Sequence, residues 1–131
     1  ERVRSGRRVP LRGVAVTSHT LKTWPVYFDA VADGRKRFEV RSTKDSTFAV
    51  GDVLVLREWD PQTETYLGRS VRVVVTYMLG WPFAPEGNVI LSIAPDHLWR
   101  YSDAHHANVC DRCGAGGAYP DRQCVTKGDG P

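Results

Sequence analysis

Lys36, Glu39 and Arg41 stand within six residues of one another, and on a strand Glu39 and Arg41 project from the same face. A carboxylate held between cations suits recognition of a base edge. Glu accepts amino protons, while Arg and Lys contact carbonyls or phosphates. The same trio suits acid–base work. His19 and Lys22, upstream, are further ligand-binding candidates that converge from a first strand. The plainer reading is a structural Glu39–Arg41 ion pair on a solvated strand face, and both readings stand open at this point.

A second cluster closes the chain: His105-His106-x3-Cys110-x2-Cys113-x10-Cys124. Cys-x2-Cys followed by Gly114 is a knuckle spacing, in which two thiolates grip one tetrahedral ion. Cys124 is expected as a third ligand and His106 as the fourth, with His105 and the more distant His97 as alternatives. The cofactor expected is a structural Zn2+. Four protein ligands close such a site, so the expectation is order in a Gly-rich tail, not catalysis at the metal. The alternative is an irregular tail with free thiols or a partial disulfide.

Aromatic rings supply stacking surfaces for bases. Trp59, Tyr66, Tyr77, Trp81 and Phe83 fall near strand ends or loops, and Trp81 in Trp81-Pro82-Phe83 is the foremost stacking candidate. An aromatic at a barrel rim is nevertheless more often packed than stacking.

These residues need elements to position them. Val14, Val16 and Ser18 alternate with Ala15, Thr17 and His19 as a first strand. Thr23-Trp24-Pro25 opens a short helix, with Thr23 or Trp24 at the cap, and Gly34 stops it. The period then changes to two: Phe38 and Val40 face one way, and Arg37, Glu39 and Arg41 the other. Further strands run through Val53–Glu58, Val71–Tyr77 and Val89–Ile93, with a hairpin-type connection at Asp60–Glu64. Val71, Val73, Val75 and Tyr77 are expected on one face. Strand, helix, then four strands predicts a mainly β fold with one or two short helices, a small, mostly antiparallel barrel followed by an irregular Cys/His tail.

The chain has 131 residues, 41% hydrophobic and 25% charged, with a formal charge of +3. That excludes wholly disordered and collagen-like classes. No apolar run approaches the roughly 20 residues of a membrane span, and the start lacks a secretory signal, so no membrane partner is expected. Three cysteines form an odd set for a disulfide framework, which favours a reducing, cytoplasmic compartment. The opening Glu in place of Met is what a piece of a longer protein would show. Charge is uneven. Residues 1–12 carry Arg2, Arg4, Arg7, Arg8 and Arg12 against Glu1, a +4 arm. Residues 13–100 are neutral, and 101–131 sum to −1. The arm reads either as a phosphate-contacting segment with salt-dependent affinity or as a solubilising tail.

His19-x-Leu21-Lys22, Pro25 with Tyr27-Phe28, and Gly34-x-Lys36-x-x-Glu39-x-Arg41 together resemble the ASCH superfamily of PUA-like domains. Asp45-x-x-Phe48-x-Val50-Gly51-Asp52-x-Leu54-x-Leu56-x-Glu58-x-Asp60 extends the match over about residues 17–94. It is most similar to a phage and bacterial ASCH-like family of unknown function. The resemblance implies a PUA-like pseudo-barrel over 13–100, with a helix beside it and a cleft lined by the motif's Lys, Glu and Arg. It also implies a bacterial or phage-infected host cell. PUA-like relatives bind RNA or modified bases, so the partner implied is RNA, DNA or a modified nucleobase. Some ASCH members deacylate N4-acetylcytidine, but they place Lys-x-x-Thr where this chain has Lys36-x-x-Glu39. They also use a distal acid from a long insertion, where residues 80–87 offer only Glu86. The leading expectation is a binding module. The alternatives are a hydrolase or nuclease acting on nucleosides or RNA, and a phage-encoded protein-interaction factor.

Overall fold

The computed structural model describes residues 6–11, 14–44, 46–97, 99–104, 107–116 and 122–127. Arg2, Arg4, Arg12, Asp45, His105 and His106 lie outside the described residues. The elements are β1 (Gly6–Leu11), β2 (Val14–Thr23), α1 (Pro25–Ala32), β3 (Phe38–Ser42), β4 (Val53–Asp60), β5 (Thr65–Leu79), β6 (Asn88–Pro95), β7 (Trp99–Ser102), β8 (Ala107–Cys110) and β9 (Cys124–Lys127). The main sheet runs β1-β2-β4-β5-β6-β3 and curls into a half-barrel. β2 and β4 pair in parallel, and the other pairings are antiparallel. Among the described residues, no helix is long and apolar enough to cross a membrane.

The mainly β architecture with one short helix agrees with the strand, helix, four-strand order read from residues 14–93. Trp24 is the N-cap and Pro25 the first helical residue, where its missing N–H costs nothing. Gly34, at φ +85°, follows the C-cap Asp33 and turns the chain toward β3.

Leu54 and Leu56 of β4, Val71, Val73 and Val75 of β5, and Leu91 of β6 meet Phe28 and Val31 of α1 in one core. The regular inward alternation of Val71, Val73 and Val75 on β5 is interrupted after Val75. The register shifts between Val75 and Tyr77, so a bulge reverses the alternation. Met78 therefore packs against the core, and Tyr77 is exposed, not on the inward face with the three valines.

β3 is also reversed from its simplest reading. Phe38 and Val40 are each 47% exposed, whereas Glu39 is 3% exposed and stands opposite the buried Leu91. The charged side of this strand faces inward. In β2 the buried positions among the described side chains are Thr17, His19 and Thr23, and Leu21 of the same face packs against the core, so this inner face is mostly polar.

Two segments extend the sheet beyond the expected strands. Residues 6–11, within the basic arm, form β1 against β2, with Arg7 opposite Ser18 and Arg8 opposite Thr17. In the tail, β7 and β8 form a hairpin, and β9 pairs with Arg69–Arg72 of β5. β9 and β6 thus lie end to end along one side of β5, whose other side is taken by β4.

α1 is tied to the sheet by charge as well as packing. Arg69 donates from Nε and Nη2 to the two carboxylate oxygens of Glu58, at 2.9 Å each, and from Nη2 to Asp29 at 2.7 Å. Its guanidinium lies 4.7 Å over the Phe28 ring. Glu58, then Asp29, hold its pKa above the ordinary arginine value. Arg69→Ala leaves the buried Glu58 carboxylate without this partner and is expected to cost about 2–3 kcal/mol. That is below the figure for a fully buried pair because the guanidinium is partly solvated. The urea midpoint at unchanged m value reads it.

Candidate functional site

At the strand–helix junction, the end of β2, the start of α1 and the face of β3 surround a cavity of about 540 Å3. Lys22, Thr23, Trp24, Tyr27, Lys36, Phe38, Glu39, Val40 and Arg41 line it. Its centre is the Glu39 carboxylate. Lys36 Nζ donates to Oε2 at 2.7 Å and to the Phe38 carbonyl at 2.6 Å. Arg41 donates to Oε1 from Nε at 3.1 Å and from Nη2 at 2.9 Å. Nη2 also reaches the Lys22 carbonyl and the Thr23 hydroxyl, both at 3.2 Å. β2 and β3 share no ladder, so Arg41 fastens the seam between them by side chain alone.

The chemistry follows from this pairing. Each Glu39 oxygen accepts from a cation, which holds the carboxylate in one orientation. A carboxylate has about four acceptor positions, so this one retains capacity for a ligand's N–H. The trio sums to +1, and Lys22 adds another cation at the rim. Trp24 and Tyr27 stack on each other with centroids 6.2 Å apart, and each is half exposed. Rings therefore border a fixed acceptor flanked by donors. The volume falls within the ~300–1,000 Å3 of small-molecule sites.

Lys22, Lys36, Glu39 and Arg41 are thus brought together as expected. His19 is not. It is fully buried on the inner face of β2, its Nε2 2.9 Å from Asp52 Oδ2 and its ring 4.6 Å from that of Phe48. Gly51, at φ +97°, makes the turn before Asp52, and Asp52 also accepts from the Ala49 amide at 3.0 Å. His19 belongs to the core, because period two places it opposite to Lys22. Trp81 is also absent from the cavity lining: it sits 72% exposed in the turn after β5. Trp59 carries Lys22 Nζ 4.5 Å over its ring, and Tyr66 carries the Arg57 guanidinium at 3.7 Å. The rings at the cavity are instead Trp24, Tyr27 and Phe38. The sequence signal for them was the helix start itself, since Trp24-Pro25 directly follows Lys22 and Thr23.

The second site lies in the tail. His97, Cys110, Cys113 and Cys124 bring one ligand atom each to within 4.8 Å of one another, and this group can hold a metal ion. His97 fills the place expected of His106 among the described residues. Antiparallel pairing of Trp99 with Cys110 returns the chain so that His97 lies beside the knuckle. Its Nδ1 is 3.5 Å from Cys113 Sγ, while Nε2 contacts the Arg122 carbonyl. Donation from Nε2–H to that carbonyl leaves the Nδ1 lone pair for a metal. Cys110 Sγ lies 3.7 Å from Cys124 Sγ and accepts from the Arg112 amide at 3.4 Å. Gly114, at φ +78°, donates its amide to the Cys110 carbonyl at 2.9 Å and so closes the turn. Burial pushes the Cys124 thiol pKa up, and the neighbouring Cys110 and Cys113 sulfurs add to the rise. A divalent cation would reverse that balance by stabilising the thiolates.

Residues 18–93 match the family model described as domain of unknown function DUF3850. The chain belongs to the DUF3850 family. The match contains the whole Glu39 cavity and ends before His97, so the Cys/His group lies outside the matched span. A protein of Escherichia phage P2, described as an uncharacterized 12.9 kDa protein in the GpA 3' region, is 40% identical over 58 residues. Those residues are 44% of this chain and 50% of the relative, so this DUF3850 chain spans about half the length of the curated relative it matches.

Proposed function

We propose that the chain is an ASCH-like, PUA-like module that binds nucleic acid or a modified nucleobase in the Glu39 cavity. The observation that most supports this is a buried carboxylate fixed between Lys36 and Arg41, in a cavity bordered by Trp24, Tyr27 and Phe38. In this reading Glu39 accepts an exocyclic amino proton, Lys36 and Arg41 contact carbonyl or phosphate oxygens, and Trp24 or Tyr27 stacks on the base. With both oxygens of Glu39 engaged by cations, its role is recognition in preference to proton abstraction.

We further propose that the ion of the Cys/His group is Zn2+. Two thiolates on a tetrahedral zinc stand about 3.8 Å apart, and a thiolate and an imidazole about 3.6 Å. The Cys110–Cys124 and Cys113–His97 separations of 3.7 and 3.5 Å agree with those values. Three sulfurs and one imidazole complete the sphere, which makes the role structural.

Titration of RNA and DNA oligonucleotides and of free modified nucleosides, followed by tryptophan fluorescence, tests the cavity. Trp24→Ala and Glu39→Gln are each expected to weaken binding about tenfold or more, the scale of one lost stack or base-edge contact. Absence of binding to every probe removes the reading. Turnover of acylated cytidines or RNA that Lys36→Ala and Glu39→Ala both abolish would establish a hydrolase in its place.

A further inference from the structure

A second concavity of about 620 Å3 abuts the Cys/His group on the sheet flank formed by β4, β5 and β9. Ser70, Arg72, Arg112, Cys113, Thr126 and Lys127 are among its walls. It is built unlike the Glu39 cavity: among the described residues, its lining has three cations, two hydroxyl groups, no carboxylate and no aromatic ring.

Each cation has a structural reason to be there. Ser70 and Arg72 are two apart on β5, and Thr126 of β9 stands opposite Ser70. The Ser70 and Thr126 hydroxyls are 2.9 Å apart. Lys127 ends β9. Arg112 sits inside the Cys110–Cys113 knuckle, where its own amide donates to Cys110 Sγ. Asp96 orders both guanidiniums. It accepts from Arg72 Nε at 3.0 Å, lies 4.0 Å from Arg112 Nη1, and its carbonyl takes that Nη1 at 3.2 Å. Among the described residues, the Asp96 carboxylate against three lining cations leaves a surplus of two positive charges.

We propose that this concavity is a phosphate-binding site, distinct from the Glu39 cavity and shaped by the metal centre. Guanidinium forks and an ammonium around a concavity match the oxygens of a phosphate group. Arg112 is positioned by the knuckle that holds two of the sulfurs, so metal occupancy sets where one of the three cations stands. The phosphate comes either from a free phosphate ion or from a polynucleotide backbone, and the two sources are separable by experiment. The site does not depend on what fills the Glu39 cavity.

The test uses the full chain with its metal content measured. Inorganic phosphate is titrated by calorimetry, and a twelve-residue oligothymidylate is titrated at several salt concentrations. The variants are Arg112→Gln/Lys127→Gln and the single Lys127→Glu, the latter outside the metal ligands. Loss of inorganic phosphate affinity by tenfold or more in both variants assigns a free-phosphate site. If only the oligonucleotide binds, and the slope of log K against log salt falls by about 1.4 in the double variant, the backbone is the source. That is the effect of two lost contacts at roughly 0.7 each for a single strand. Arg112 and Lys127 line this concavity and not the Glu39 cavity, so a loss caused by replacing them separates the two sites. Variants that keep wild-type metal stoichiometry and bind both probes with wild-type affinity and salt slope would overturn the proposal.

Discussion

Cys124→Ser is expected to release the metal and, with it, the hold on β9. Cys124 is 1% exposed and is the first residue of β9, so one residue joins the Cys/His group through its sulfur and the ladder on β5 through its backbone. A metal that binds only the folded chain stabilises it by about 4 kcal/mol when free metal is a thousandfold above the dissociation constant. For a chain of this length that corresponds to a fall of roughly 10–20 °C in melting temperature on ligand loss or complete chelation. Hydrogen exchange should show where the loss falls, with amides of β9 and the β7–β8 hairpin losing protection before those of β4 and β6. His97→Ala is expected to move in the same direction. Its Nε2 contact to the Arg122 carbonyl is lost together with the ligand, so order around residues 122–124 should decline too. Unchanged melting and exchange after full removal of metal would show that the group contributes nothing to the fold.

The second large effect concerns Glu39 and carries an asymmetry that a simple count of ion pairs would miss. The Glu39 side chain is 4% exposed, whereas Lys36 and Arg41 are 19% and 23% exposed. Removing both cations with Lys36→Met/Arg41→Leu strands a carboxylate in the interior, next to Leu91. The expected cost is about 3–5 kcal/mol, the range for a buried charge left uncompensated. Adding Glu39→Leu to that pair is expected to recover most of the loss, since the interior position is then apolar and nothing charged remains there. Glu39→Leu alone should cost less than the double variant, because the two cations can turn toward water. Denaturant unfolding of the three variants measures the cycle. Ligand affinity should be lost in all of them, including the restabilised triple variant. A triple variant no more stable than the double would mean that the trio holds the fold by packing and not by charge.

Much of the half-barrel was legible because it rests on local pattern. The Trp24-Pro25 helix start, the Gly34 stop and the alternation in β4, β5 and β6 each follow from residue type and period. Which face points inward was less legible. On β3 the apolar Phe38 and Val40 should have been core by hydrophobicity alone, yet Glu39 is the buried residue because Lys36 and Arg41 compensate its charge. The bulge near Thr76 shifted Tyr77 outward, and alternation alone carries no mark of it. His19 looked like a ligand-binding histidine, whereas its partner Asp52 is 33 residues away in sequence. The metal group was legible as three cysteines with a histidine, but the choice of histidine depends on hairpin register. Trp99 opposite Cys110 is a tertiary fact, and it brings forward a residue that sequence distance had put last. β1 and β9 were missed for a related reason: each is short and is defined by the strand it joins.

The shared flank of β5 has a practical consequence for anyone dissecting the molecule. The family match stops at residue 93, which invites a minimal fragment cut there. Such a fragment would lack β9 and leave bare those backbone groups of Arg69–Arg72 that face it, directly beyond the end of β6. That stretch contains Val71 on its core side, and a naked strand flanked by apolar residues recruits whatever strand it meets, including its own copy. Dimers or precipitate from a trimmed fragment would then reflect the missing cover and say nothing about assembly of the intact chain. In the intact chain β9 covers the flank of β5 that such a cut would expose.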